Sequence, residues 1–134
     1  MRLVMSVLVL AVAASGCSSS VDPQLIDGVW SQDFVVAGGG QDMTLSVSGS
    51  NVSGTGSWCG EAIGCATTTV TGTIIDDRVH LITTFSSGTV QTFDGHLVSV
   101  NSLTGSTVEH SPSGMPQLPY AQSFHRAKND VIPL

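Results

Sequence analysis

Positive charge is scarce in this chain. Its 134 residues hold four Lys or Arg against ten Asp or Glu, for a formal net charge of −6. Beyond residue 16 the basic side chains are Arg78, Arg126 and Lys128. No basic stripe exists, which excludes nucleic acid as a partner and electrostatic attraction to anionic lipid. Charged residues of both signs make up only 10% of the chain, and its polarity comes from Ser, Thr and Gly, which suit strands and turns. Equally absent are a helical apolar repeat and an apolar run long enough to span a bilayer as a helix. There is no Gly-x-Ser-x-Gly elbow, no His-Glu-x-x-His and no Cys-x-x-Cys, the patterns of serine hydrolases, zinc peptidases and dithiol redox sites. Asp76 and Asp77 are adjacent and read as turn formers rather than a catalytic pair. The expectation is a protein that is not an enzyme and needs no cofactor.

Among the residues present, Cys17 says most. Arg2 precedes an apolar leader, Leu3 to Ala14, which ends in Ser15-Gly16-Cys17. A charged start, about a dozen apolar residues and a small-residue junction describe a secretory signal. The Ser-Gly-Cys junction resembles the lipobox of bacterial lipoproteins, with Ala14 where that family favours leucine. The resemblance implies cleavage before Cys17 and acylation of its thiol. It also implies an anchor in the bacterial cell envelope, with Ser18 resembling the outer-membrane sorting choice of enteric bacteria. On this reading residues 1–16 are a signal peptide and residues 17–27 a lipidated N-terminus and linker. Residues 28–128 form one β domain and residues 129–134 a tail.

Two further cysteines remain, Cys59 and Cys65. In an exported protein an even pair reads as a disulfide, and five intervening residues fit neither a redox motif nor a zinc knuckle.

From Gly28 onward the apolar residues alternate with polar ones, and Gly, Asn, Asp or Ser stand at the breaks. That pattern predicts successive antiparallel hairpins. Eight strands are expected, over 29–36, 42–48, 51–59, 65–75, 78–85, 89–99, 103–109 and 122–128. Turns at Gly49-Ser50, Asp76-Asp77 and Ser86-Gly88, with Cys59 opposite Cys65, place Val47 against Val52 and Leu45 against Gly54. They also place Val70 against Thr83 and Leu81 against Phe93. All the large apolar residues then share one face, whereas a slip of one residue would invert a strand. After Asn101, Leu103 is inward only if the connection has an odd residue count. Ser111 to Pro119 reads as a loop. With no helix to cover it, the apolar face must close on itself. The fold class expected is all-β, an antiparallel up-and-down meander closing into a small eight-stranded barrel. Inward glycines at 54, 56, 72 and 95 suit tight coiling.

Gly28-Val29-Trp30 at the start of the first strand resembles the Gly-x-Trp of calycins, the lipocalin and avidin-like barrels. The resemblance implies that Trp30 closes one end of the barrel beside Arg126 of the last strand. The interior would hold Trp30, Phe34, Trp58, Leu81, Phe85, Phe93 and Phe124, lining a pocket for a small apolar ligand or filling a core. On the outer face His80 should oppose Asp94, with His96 nearby. These read as exposed polar residues rather than a metal set. The reading preferred on these grounds is an envelope-anchored, non-enzymatic binding module for a small apolar ligand or an envelope partner. A second reading is a periplasmic barrel resembling the bacterial inhibitors of secreted metalloproteases, whose N-terminal segment enters the enzyme's cleft. A third is a structural envelope lipoprotein.

Overall fold

A computed structural model describes residues 22–32, 39–60, 64–130 and 132–133. Cys17, the leader and Phe34 lie outside the described residues. Alternation of side chains about each strand produces eight strands: β1 Gly28–Gln32, β2 Gly39–Ser48, β3 Asn51–Gly60, β4 Gly64–Ile75, β5 Arg78–Phe85, β6 Val90–Ser99, β7 Ser102–His110 and β8 Tyr120–Arg126. Each pairs antiparallel with the next, and β8 returns to β1, so the sheet is a closed barrel in meander order. Closure gives every strand a neighbour on both sides, so none stands at a sheet edge.

The expected register is the one found. Leu45 faces Gly54, Cys59 faces Cys65, Val70 faces Thr83 and Leu81 faces Phe93. Serines and threonines at 46, 53, 55, 67, 69, 71 and 73 face outward, while Leu45, Val70, Leu81 and Phe93 are buried. The connection left open by sequence is a two-residue turn plus a bulge. Leu97 pairs with Leu103 but Ser99 pairs with Ser102, so one extra residue, Val98, stands on β6. The bulge restores the parity that buries Leu103 completely.

Most strand bounds fall within one residue of expectation, β1 is described only to Gln32, and the larger differences are at β2, β8 and the segment before β1. Strand β2 begins at Gly39, because Gly39 and Gly40 pair with Gly60 and Cys59 rather than making a turn. Strand β8 runs from Tyr120 to Arg126, two residues earlier than expected at both ends, and a short 3-10 turn follows at Lys128–Asp130. The segment read as a linker contains a 3-10 turn, Pro23–Ile26, and Ile26 is fully buried.

The inward glycines coil the sheet; they do not open space. A Cβ at Gly54 would meet the Thr44 carbonyl, and one at Gly72 the His80 carbonyl, so neighbouring backbone occupies those positions. At Gly95 the Phe93 ring lies where a side chain would project. At these positions no room is left for a ligand.

Candidate functional site

The barrel has two chemically different ends. The first gathers the turns Gly49-Ser50, Asp76-Asp77 and Val100-Asn101 with both described termini. At its centre Trp30 is fully buried, and the Arg126 guanidinium lies 4.6 Å from the centre of its ring. The indole Nε1 donates to the Ile26 carbonyl at 2.8 Å. Arg126 Nε donates to the Val100 carbonyl at 2.8 Å, and Nη1 donates to the Asp27 carbonyl. Asp130 stands 3.6 Å from Nη1 and accepts from the Val29 amide at 2.7 Å. Burial pushes the guanidinium's pKa down, and the carboxylates of Asp130 and Asp27 push it back. An arginine keeps its charge under such opposition.

Gly28 shows why the Gly-x-Trp motif needs its glycine. Its φ is 126°, and a Cβ there would collide with the Asp130 carboxylate and the Arg126 guanidinium. Asp130 and Ile132, in the segment read as a tail, complete this end. Asn101 exchanges two hydrogen bonds of 2.9 Å with the backbone of Ile132.

Above this end sits the apolar core. Leu81, Phe93 and Phe124 belong to it, with Phe93 and Phe124 edge to face at 5.6 Å between ring centres. The expected pocket lining thus divides: Trp30, Leu81, Phe93 and Phe124 pack against one another, while Trp58 and Phe85 lie in the other half of the barrel.

That other half ends at the disulfide. Cys59 and Cys65 are bonded, with 4.0 Å between their α-carbons. Its interior is polar. Gln41, Gln91, Gln122, Thr68, Thr83 and Thr107 are all buried. Thr107 donates to the Gln122 side-chain carbonyl, and the Gln122 amide reaches Gln41 at 3.4 Å. The Gln91 amide donates to Glu109 at 3.2 Å and to the Tyr120 hydroxyl at 3.1 Å. Burial, and secondarily the neighbouring Glu109, raise the Tyr120 pKa, so the phenol stays protonated at neutral pH. The Thr68 hydroxyl is buried without a hydrogen-bond partner. A buried polar atom left unpaired costs about 1–3 kcal/mol.

Sequence reasoning missed the glutamines because their type reads as solvent-facing. Parity finds them: Gln41 continues Leu45 and Met43, Gln91 precedes Phe93 by two, and Gln122 precedes Phe124 by two.

On the outer wall His80 Nδ1 and Asp94 Oδ1 lie 2.6 Å apart, and His96 stands opposite Arg78 on the next rung. Together with Thr73 and Ile75 they border an open groove of about 830 Å³. Among the described residues no three His, Cys, Asp or Glu side chains are grouped to hold a metal.

No protein-family model matches this chain, and no curated protein sequence matches it. A solved structure does: a redesigned β-barrel, mFAP1, bound to DFHBI, with a TM-score of 0.58 at 15% identity. The match covers 78% of this chain and 97% of that one. The fold is therefore a closed eight-stranded antiparallel barrel, shared with a redesigned barrel at low sequence identity.

Proposed function

We propose that this chain is an envelope-anchored bacterial lipoprotein, without catalytic activity, whose barrel binds a small molecule through its disulfide end. The carrying observation is the buried polar interior of that end, where three glutamines and three threonines stand in place of a core and the hydroxyl of one of them, Thr68, has no partner. Burying so many polar groups is unfavourable unless something bonds to them. The redesigned barrel solved with DFHBI bound supports the same use of this fold.

The anchor fits this arrangement. Asp22, the first described residue, leads into the Trp30 end. Four residues lie between it and Cys17, five steps of the chain with a reach of at most about 18 Å. Acyl chains on Cys17 would hold the Trp30 end against the membrane and turn the disulfide end toward the aqueous phase. Burial of Ile26 pins Pro23–Ile26 to the barrel, which disfavours the inhibitor reading, since that needs a free N-terminal segment. One observation favours an envelope protein at the rim as a second reading: Leu118 and Met115, in the loop before β8, are 87% and 69% exposed.

Native mass spectrometry of the protein from its own host tests the whole. A mass shift of acylation on Cys17 and a retained small molecule are expected. Cys17→Ser should leave the membrane fraction. A variant that stays in that fraction overturns the anchor, and a ligand-free barrel that binds no small-molecule probe overturns the binding function.

A further inference from the structure

The basic side chains of the barrel lie at one end. Arg78, Arg126 and Lys128 all stand at the Trp30 end, at the start of β5, the end of β8 and just beyond it. Among the described residues of the disulfide end, 39–41, 57–60, 64–67, 84–92 and 108–121, no Lys or Arg occurs. Among those residues the charged group on the inner face is Glu109, half-buried on β7. It accepts one bond from Gln91, which leaves most of its acceptor capacity unused. Tyr120 accepts from Gln91 and keeps its own O–H to donate. On the opposite wall Phe85 is the cross-strand partner of Thr68, whose hydroxyl is partnerless, and Trp58 stands on β3 two residues beyond Gly56, the other partner of Thr68.

From this we infer that the disulfide end selects flat ligands that are cationic or uncharged hydrogen-bond donors, and turns away carboxylates and phosphates. The inference rests on the small-molecule reading above. A ligand's planar body would lie against Trp58 and Phe85, which attract flat and cationic groups. Its donor would meet Glu109, and its acceptor the Tyr120 and Thr68 hydroxyls. A carboxylate or phosphate at the same place would face Glu109 with no cation in reach, and like charges in a partly dry site repel strongly. Fatty acids are thereby excluded, although an apolar interior alone would admit them.

Fluorescence titration of the full chain with three dyes tests this: Nile red, which is neutral, thioflavin T, which is a planar cation, and anilinonaphthalene sulfonate, which is an anion. Thioflavin T should bind at least about tenfold more tightly than the sulfonate and displace Nile red. Glu109→Gln keeps an acceptor for Gln91 and should reduce that preference roughly tenfold, the scale of one charge-assisted hydrogen bond. Asp42→Asn removes one charge from the outer wall and should leave the preference unchanged. Binding of Nile red with no cation preference, or a preference that Asp42→Asn lowers as much as Glu109→Gln, overturns the inference and leaves the small-molecule reading standing. Failure of all three dyes to bind overturns both.

Discussion

The two ends of this barrel are made by the same strands yet obey different rules. At the Trp30 end the polar side chains serve closure, although Arg126 Nη2 is itself buried without a hydrogen-bond partner. Arg126 reaches two backbone carbonyls and a tryptophan face, and Asp130 folds back over Gly28. At the disulfide end the polar groups outnumber the apolar ones inside, and their bonds to one another are partial. A small barrel needs only part of its interior to hold it together. Ile26, Trp30, Leu45, Ile74, Leu81, Leu103 and Phe124 supply that part. The remaining interior is free to carry chemistry that stability would not select, and a buried hydroxyl without a partner is its clearest mark.

The sharpest way to break the comparison is at Trp30. Truncation to alanine removes the largest fully buried side chain and the ring over Arg126. Large aromatic deletions in a core cost about 3–5 kcal/mol. Here the change also uncovers a buried cation, so urea denaturation of Trp30→Ala should show a loss at the upper part of that range. A loss under about 1 kcal/mol would mean that the Trp30 end is not the barrel's main support.

A smaller effect is expected at the other end. Replacing both Cys59 and Cys65 with serine frees a loop of seven residues, counted with both cysteines, whose closure is worth about 2 kcal/mol in the chain-entropy model. The strand pairs on either side of the disulfide should persist, because they continue from Gly60 and Gly64 along the whole of β3 and β4. Circular dichroism of the double variant should therefore keep the β signal, with a lower denaturation midpoint. Destabilisation equal to that of Trp30→Ala would erase the distinction between the ends.

Much of this architecture is legible in the amino-acid order. Period-two alternation between turn residues specifies each hairpin, and four hairpins with consistent parity leave little freedom in register. The closure of one end by Trp30 and Arg126 can be read from three residues and an arginine. The rest escapes for particular physical reasons. Val98 forms its bulge without any turn chemistry of its own, since a valine there is as good a strand residue as any. Asp130 acts through a contact with the far end of the chain, at Val29, and Ile26 lies in a short 3-10 turn before β1, its carbonyl reached by the Trp30 indole four residues on. The glutamines are hidden by their own polarity, because residue type argues outward where parity argues inward. Where those two signals conflict, the conflict itself marks the candidate site.

Thr68 offers the finest test, because it separates a polar interior kept for packing from one kept for a ligand. Valine has the same branched shape and the same preference for strands, so Thr68→Val changes little except the hydroxyl. That hydroxyl is buried and bonds to nothing in the folded chain. Removing it should stabilise the barrel by about 1 kcal/mol, the lower part of the penalty for an unsatisfied buried polar group. Nearly every other change of a buried polar residue would destabilise, so the sign carries the information. The same variant should bind a flat hydrogen-bonding dye several-fold more weakly, since one bond in the complex is lost. A gain in stability paired with a loss in binding is the signature of a group held for a ligand at the fold's expense. A loss in stability would show that Thr68 is bonded when the barrel is folded, and would make the disulfide end a second, polar core.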